Sequence, residues 1–226
     1  MNQLKFNVAA VLFDLDGTLL DSIGIYFQII ETVFDRLGLV MPPIETIREA
    51  ARTGEFEWGL VFPSETKEEL EDLIKQTHQI TAQIYPTLFD GNLKLIPGAK
   101  ETLENILQKG IKLGVVTSTP RRNLNLKMPV LVDSGINDLL EVIIAADDAP
   151  CKKPAPDPLL LGSRKLAISP AQCMYVGDSR TDIQAGKAAG MKTVSVLTGI
   201  DDREALKREK PDAMIGSIAA LKDLLV

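Results

Sequence analysis

The stretch Val11-Leu12-Phe13-Asp14-Leu15-Asp16-Gly17-Thr18-Leu19 decides the fold: an apolar run stops at two aspartates one residue apart, and a glycine follows at once. Apolar residues in succession, rather than in alternation, mark a strand covered on both faces, as strands of a parallel sheet are. Counting Val8 to Phe13 as the first such run, others follow at Leu113 to Val116, Val142 to Ala146, Met174 to Val176 and Thr193 to Leu197. The segments between them carry helical spacing. Leu103, Ile106 and Leu107 fall at i, i+3 and i+4 ahead of Gly110, and Ser179 to Ala189 opens on a capping residue and stops at Gly190. Strand and helix in alternation predict an α/β fold built on a doubly wound parallel sheet.

One connection breaks the rhythm. From about Ser22 to Asp90 no strand pattern occurs; Ile23, Tyr26, Phe27, Ile30, Phe34 and Leu37 form one helical stripe ending at Gly38, and Leu70, Leu73 and Ile74 begin another. The return, Phe89-Asp90-Gly91-Asn92 to Pro97-Gly98, is rich in turn formers and reads as a linker. The expected organisation is therefore a core domain of residues 1–21 and 91–226 with a helical domain, 22–90, inserted after the first strand.

All strands of such a sheet point the same way, so whatever follows each strand lies along one edge, where ligands bind. Those ends carry Asp14 and Asp16, Thr117 and Ser118, Asp147 and Asp148, and Gly177, Asp178 and Ser179. Crowding carboxylates at the edge of an apolar fold calls for a cation, and carboxylates with room for water suit Mg²⁺, which usually also holds a substrate phosphate. Taken alone, Asp-x-Asp-Gly reads equally well as a turn. An EF-hand loop is excluded by its spacing and by the strand before it.

Composition narrows the partners. The 226 residues are 45% hydrophobic, and 25 Lys and Arg against 31 Asp and Glu leave a formal charge of −6, which argues against nucleic acid or an anionic membrane. No apolar stretch is long enough for a membrane span, and no small-residue cleavage pattern precedes Asp14, so a cytoplasmic location is expected. Cys151 and Cys173 show neither C-x-x-C spacing nor the density of a disulfide scaffold. The nucleotide-binding patterns G-x-x-x-x-G-K-[ST] and G-x-G-x-x-G and the hydrolase elbow G-x-S-x-G do not occur. The single histidine, His78, lies in the helical insertion and reads as a packing or surface residue.

With these residues placed, the chain resembles the haloacid dehalogenase superfamily, in its branch of phosphatases with a small helical cap. Asp14-Leu15-Asp16-Gly17-Thr18-Leu19 resembles that family's first motif and Val115-Val116-Thr117-Ser118 its second. Lys153-Pro154-Ala155-Pro156-Asp157-Pro158 resembles the third, and Gly177-Asp178-Ser179-Arg180-Thr181-Asp182 the fourth. The resemblance implies a Rossmann-like core with the cap at 22–90. It implies that Asp14 attacks phosphorus to form an aspartyl phosphate, and that Asp16 protonates the leaving alcohol and then takes a proton from water. It assigns Gly17, Thr117, Ser118 and Lys153 to the phosphate oxygens. It gives Mg²⁺ to Asp14, the main-chain carbonyl of Asp16, and Asp178, with Asp182 as an outer partner. Read without the family, Thr117 merely ends a strand, Lys153 is one of two solvated lysines, and Asp178 and Asp182 cap a helix.

The wording of the second and third motifs is most similar to the phosphoglycolate phosphatases of that branch, which implies a small phosphorylated metabolite as partner. A monomer or homodimer is expected. The break at Arg52, Thr53, Gly54 and Glu55, with Trp58 close by, is the candidate specificity loop, although Arg52 also reads as a solvated residue and Trp58 as core. Arg121 and Arg122 are either anion partners or surface charges. The competing readings are a β-phosphoglucomutase-like phosphoryl transfer and a non-catalytic module that binds a phosphorylated ligand. A metal-free dehalogenase is disfavoured by Asp16.

Overall fold

The computed structural model describes residues 5–51, 56–64 and 66–226. Its sheet has six parallel strands in the order β3-β2-β1-β4-β5-β6: β1 Ala10–Phe13, β2 Lys112–Val116, β3 Val142–Ile144, β4 Cys173–Gly177, β5 Lys192–Val196 and β6 Ala213–Ile215. Period-two geometry turns the unbroken apolar runs into two cores. Val11 and Phe13 pack with Leu113, Val115, Met174 and Val176 on one face, whereas Ala10 and Leu12 pack with Val116, Cys173 and Tyr175 on the other. The five expected strands are present, with ends shifted by a residue or two. β3 stops at Ile144, two residues early, because the Ala145 N–H turns to the Asp148 carboxylate, 2.9 Å away. β6 was not expected; its three residues are half-buried at the sheet edge and leave too short a pattern.

Nine helices are described: α1 Ile23–Arg36, α2 Ile44–Ala50, α3 Lys67–Phe89, α4 Ala99–Gln108, α5 Arg121–Leu124, α6 Met128–Asp133, α7 Asp157–Leu166, α8 Arg180–Ala188 and α9 Arg203–Arg208. Among its described residues the insertion after β1 contains no strand: α1, α2, a short 3₁₀ turn at Trp58–Leu60, and α3 are joined by turns and irregular segments. Ile30, Val33, Phe34, Ile47, Ala50, Val61 and Phe62 give it an apolar cluster of its own, and Trp58 stacks on Phe62 with ring centroids 5.6 Å apart. α3 begins in a capping box, the Thr66 hydroxyl accepting from Glu69 N–H and the Glu69 carboxylate from Thr66 N–H. The outgoing and returning chains run side by side: Asp21 N–H donates to the Lys94 carbonyl at 2.9 Å and Ile96 N–H to the Leu19 carbonyl at 2.8 Å. No helix among the described residues is long and apolar enough to cross a membrane.

Candidate active site

The register brings the motif residues together. Phe13 pairs with Val115 on one side and Val176 on the other, so the residues just beyond β1, β2 and β4 share one edge. Asp14 N–H still bonds to the Val176 carbonyl at 2.8 Å, and Thr117 N–H to the Ile144 carbonyl at 2.9 Å, which fixes both residues at the sheet's tip. Among the described residues, Asp14, Asp178 and Asp182 form a buried group whose nearest carboxylate oxygens all lie within 4.8 Å of one another. Oxygen-only donors in a tight buried set suit a hard divalent cation such as Mg²⁺.

Lys153 answers part of that negative charge. Its ammonium is buried and donates to Asp14 Oδ1 at 2.8 Å, Asp182 Oδ1 at 2.6 Å and the Tyr175 hydroxyl at 2.9 Å. Burial alone would discharge this lysine, but the Asp14 and Asp182 charges outweigh it and hold its pKa above the ordinary lysine value. Tyr175, a strand residue, donates in turn to the Val116 carbonyl at 2.7 Å and so braces Lys153 against the sheet. Asp178 takes the Ile200 N–H at 2.8 Å and, more loosely, the Thr18 hydroxyl at 3.4 Å. Burial, then the neighbouring Asp182 and Asp14 charges, pushes the Asp178 carboxyl well above its usual value. Asp14 is pushed up to about 7, by burial first and by Asp182 and Asp16 next, against the pull of Lys153. More negative charge meets here than one lysine offsets.

Asp182 has a double duty. Its second oxygen accepts from Ser179 N–H at 3.0 Å, Asp178 N–H at 3.2 Å and the Ser179 hydroxyl at 2.6 Å, closing the capping box that starts α8. Asp16 faces another way. Its Oδ1 accepts from the Ser22 hydroxyl at 2.7 Å and its Oδ2 from the Thr119 hydroxyl at 2.9 Å and from Lys127. Burial raises the Asp16 carboxyl, yet the Lys127 charge and these hydrogen bonds bring it below the usual carboxylate value. Its side chain is not one of the clustered three carboxylates.

Gly17 sits at φ +70° with no room for a side chain: an added Cβ would lie 2.7 Å from Asp178 Oδ2 and 2.8 Å from Gly199 Cα. Thr117 is buried, its hydroxyl accepting from Thr119 N–H at 3.1 Å, and Ser118 beside it is half-buried. Asp147 and Asp148, expected with the other strand ends, are instead exposed and engaged by Arg121. Asp147 takes its backbone N–H at 2.8 Å and Asp148 its guanidinium. The turn after Ile144 directs them there, so only the carboxylates following β1 and β4 converge. Arg52, Thr53 and Gly54 lie outside the described residues. His78 is exposed on α3, and Cys151 is exposed and unbridged.

Sequence reasoning missed Lys127, Thr119, Ser22, Tyr26, Tyr175 and the loop of residues 198–200. Most join the site through contacts far along the chain, such as Lys127 to Asp16 across 111 positions, where local spacing holds no signal; Ser22, six residues from Asp16, is the local exception.

Known proteins share the fold and much of the sequence. Over 227 residues the chain is 30% identical to a phosphoglycolate phosphatase of Pectobacterium atrosepticum, covering 96% of this chain and 92% of that one. The fold superposes with a TM-score of 0.78 on the structure of a predicted phosphoglycolate phosphatase from Haemophilus somnus, at 24% identity over 96% and 98% of the two chains. CbbY from Rhodobacter sphaeroides in complex with phosphate superposes at 0.72, with 24% identity over 95% and 96%. The family model for haloacid dehalogenase-like hydrolases matches residues 11–196, and the chain belongs to that family.

Proposed function

We propose that this hydrolase is a Mg²⁺-dependent phosphatase acting on a small, phosphoglycolate-like phosphate monoester through an aspartyl phosphate on Asp14. The observation that carries the reading is the buried Asp14 carboxylate, held by Lys153 beside Asp178 and Asp182 at the tip of a central strand. Asp14 attacks phosphorus; as the phosphorus–oxygen bond to the alcohol breaks, Asp16, ionised in the free protein and protonated when the anionic ester binds beside it, gives that proton to the departing oxygen, a transfer worth roughly 10² to 10⁴ in rate. In the second half, Asp16 takes a proton from the water that attacks phosphorus, releasing phosphate and restoring Asp14. Thr117 and the Lys153 ammonium offer donors to the non-bridging oxygens, and Gly17 lets the chain turn close to them. The residues that would hold Mg²⁺ are Asp14, Asp178 and the Asp16 carbonyl, with Asp182, both of whose oxygens are already bonded, as an outer partner. Bound there, Mg²⁺ supplies positive charge next to the phosphoryl oxygens.

The helical insertion, residues 22–90, acts as a cap that closes over this edge and chooses the ester, with 52–54 among its determinants. The names of the relatives support phosphoglycolate as the model substrate.

The test is phosphate release from a panel of monoesters including phosphoglycolate, with Mg²⁺ and then with a chelator. Release that needs the metal and disappears in Asp14→Asn, with unchanged circular dichroism, is the expected result. Beryllium fluoride with Mg²⁺ should inhibit by imitating the phosphorylated carboxylate. Full turnover in Asp14→Asn rejects the covalent route, and isomerisation of a sugar phosphate without phosphate release favours the mutase.

A further inference from the structure

We propose that Lys127 is a positioning residue that fixes the carboxylate of Asp16 and determines which of its oxygens moves the proton. This inference rests on the acid/base role given to Asp16 above. Lys127 directly precedes α6 and is 1% exposed, among the most deeply buried large side chains of the molecule. A buried ammonium is costly unless its donors are satisfied. Here its three hydrogens have three acceptors: the Asp16 carboxylate, the Thr119 hydroxyl at 2.7 Å and the Tyr26 hydroxyl at 2.8 Å. Its nitrogen also lies 5.3 Å from the Tyr26 ring centroid and 5.9 Å from that of Phe89. With its hydrogens committed, Lys127 acts on Asp16 rather than on a ligand. Packing alone would be met by an apolar side chain without the desolvation cost.

The hydrogen-bond pattern distinguishes the two carboxylate oxygens. Thr119 accepts from Lys127 and donates its own hydroxyl hydrogen bond to Asp16 Oδ2 at 2.9 Å, so Oδ2 takes two donors. Oδ1 takes the Ser22 hydroxyl at 2.7 Å. Each carboxylate oxygen has about two hydrogen-bonding positions, which leaves Oδ1 with the open one, where the proton for the departing alcohol is carried. The Asp16 side chain keeps 18% of its surface exposed while Lys127 is shut behind it. Tyr26 lies on α1 and Phe89 on α3, so the same lysine ties the proton-transfer group to the helical insertion.

The experiment compares kcat/KM for phosphoglycolate, whose alkoxide needs a proton to leave, with that for p-nitrophenyl phosphate, whose phenolate does not. Lys127→Met should lower both, the alkyl ester at least about tenfold more, and Lys127→Arg should recover part of that ratio. In an Asp16→Asn background, adding Lys127→Met should change the ratio by less than about twofold, because the lysine works through Asp16. Thr119→Val, which removes the hydroxyl shared by both, should move the ratio in the same direction and serves if Lys127→Met does not fold. An unchanged ratio in a folded variant, or an undiminished effect on top of Asp16→Asn, overturns the proposal. Failure of both variants to fold also overturns it, assigning Lys127 a structural role. A wild-type protein that hydrolyses neither ester rejects the phosphatase reading itself.

Discussion

At Gly17 a single missing methyl group holds the site open. The residue lies at φ +70°, a backbone setting that costs an alanine roughly 1–2 kcal/mol, and the space its Cβ would need is already taken by the Asp178 carboxylate and the Gly199 backbone. The Asp178 carboxylate would have to move, and with it the Ile200 N–H that holds it. A displacement near 1 Å at a reacting centre can cost about 10² in rate, so Gly17→Ala should lower kcat/KM by about that factor while the protein remains folded. Steady-state kinetics at several Mg²⁺ concentrations would check this, and a variant within about threefold of wild type would contradict it. The need for glycine was legible, because Asp-x-Asp-Gly marks a close turn. What it turns against was not, since Gly199 and Ile200 arrive from the far end of the chain.

Among the elements, α8 converts local sequence into site geometry. Ser179 caps the helix and Asp182 closes the box, but the same Asp182 carboxylate reaches Lys153 at 2.6 Å, so the cap and the charge network share one side chain. Removing the hydroxyl in Ser179→Ala should cost about 1 kcal/mol, readable as a lower urea midpoint, because an orphan N–H of the first turn loses its acceptor. It should also lower kcat/KM by about tenfold, because Asp182 loses the shortest hydrogen bond to its second oxygen and holds Lys153 less firmly. A stability loss with unchanged kinetics would mean that the cap and the site are independent. Elements were the most legible level of this molecule. Continuous apolar runs betray β1, β2, β4 and β5 because both faces of those strands are buried, and the 3.6-residue stripe betrays α1. β6 escaped because Ala213, Met214 and Ile215 are half-buried at an edge. The carboxylates after β3 were misplaced because the sequence carries the strand but not the turn that leads away from it.

Across the whole molecule, a net charge of −6 is borne by a fold that buries Asp14, Asp178 and Asp182 together. Lys153, with its pKa held above the ordinary value, stays charged at neutral pH and contributes no pH dependence there. Asp14 does contribute: its carboxyl lies near 3.8 when unfolded and about 7 in the metal-free fold, so between those values the folded chain keeps a proton that the unfolded chain releases. Stability of the metal-free protein therefore falls as pH rises through that window and levels off above it, and Asp178, also raised, adds in the same sense. A divalent ion needs the ionised carboxylates and so competes with those protons. Mg²⁺ at a hundredfold excess over its dissociation constant stabilises by about 2.7 kcal/mol, or roughly 5–10 °C in Tm for a chain of this size. That full shift is expected near pH 8, where the site is ionised, shrinking to about 1 °C or less near pH 5, where the same Mg²⁺ concentration meets protonated carboxylates. Thermal melts with and without Mg²⁺ at both pH values, repeated with Asp178→Asn to remove one ligand, would measure it. An equal shift at both values, or an undiminished one in Asp178→Asn, would place the ion elsewhere than among these carboxylates.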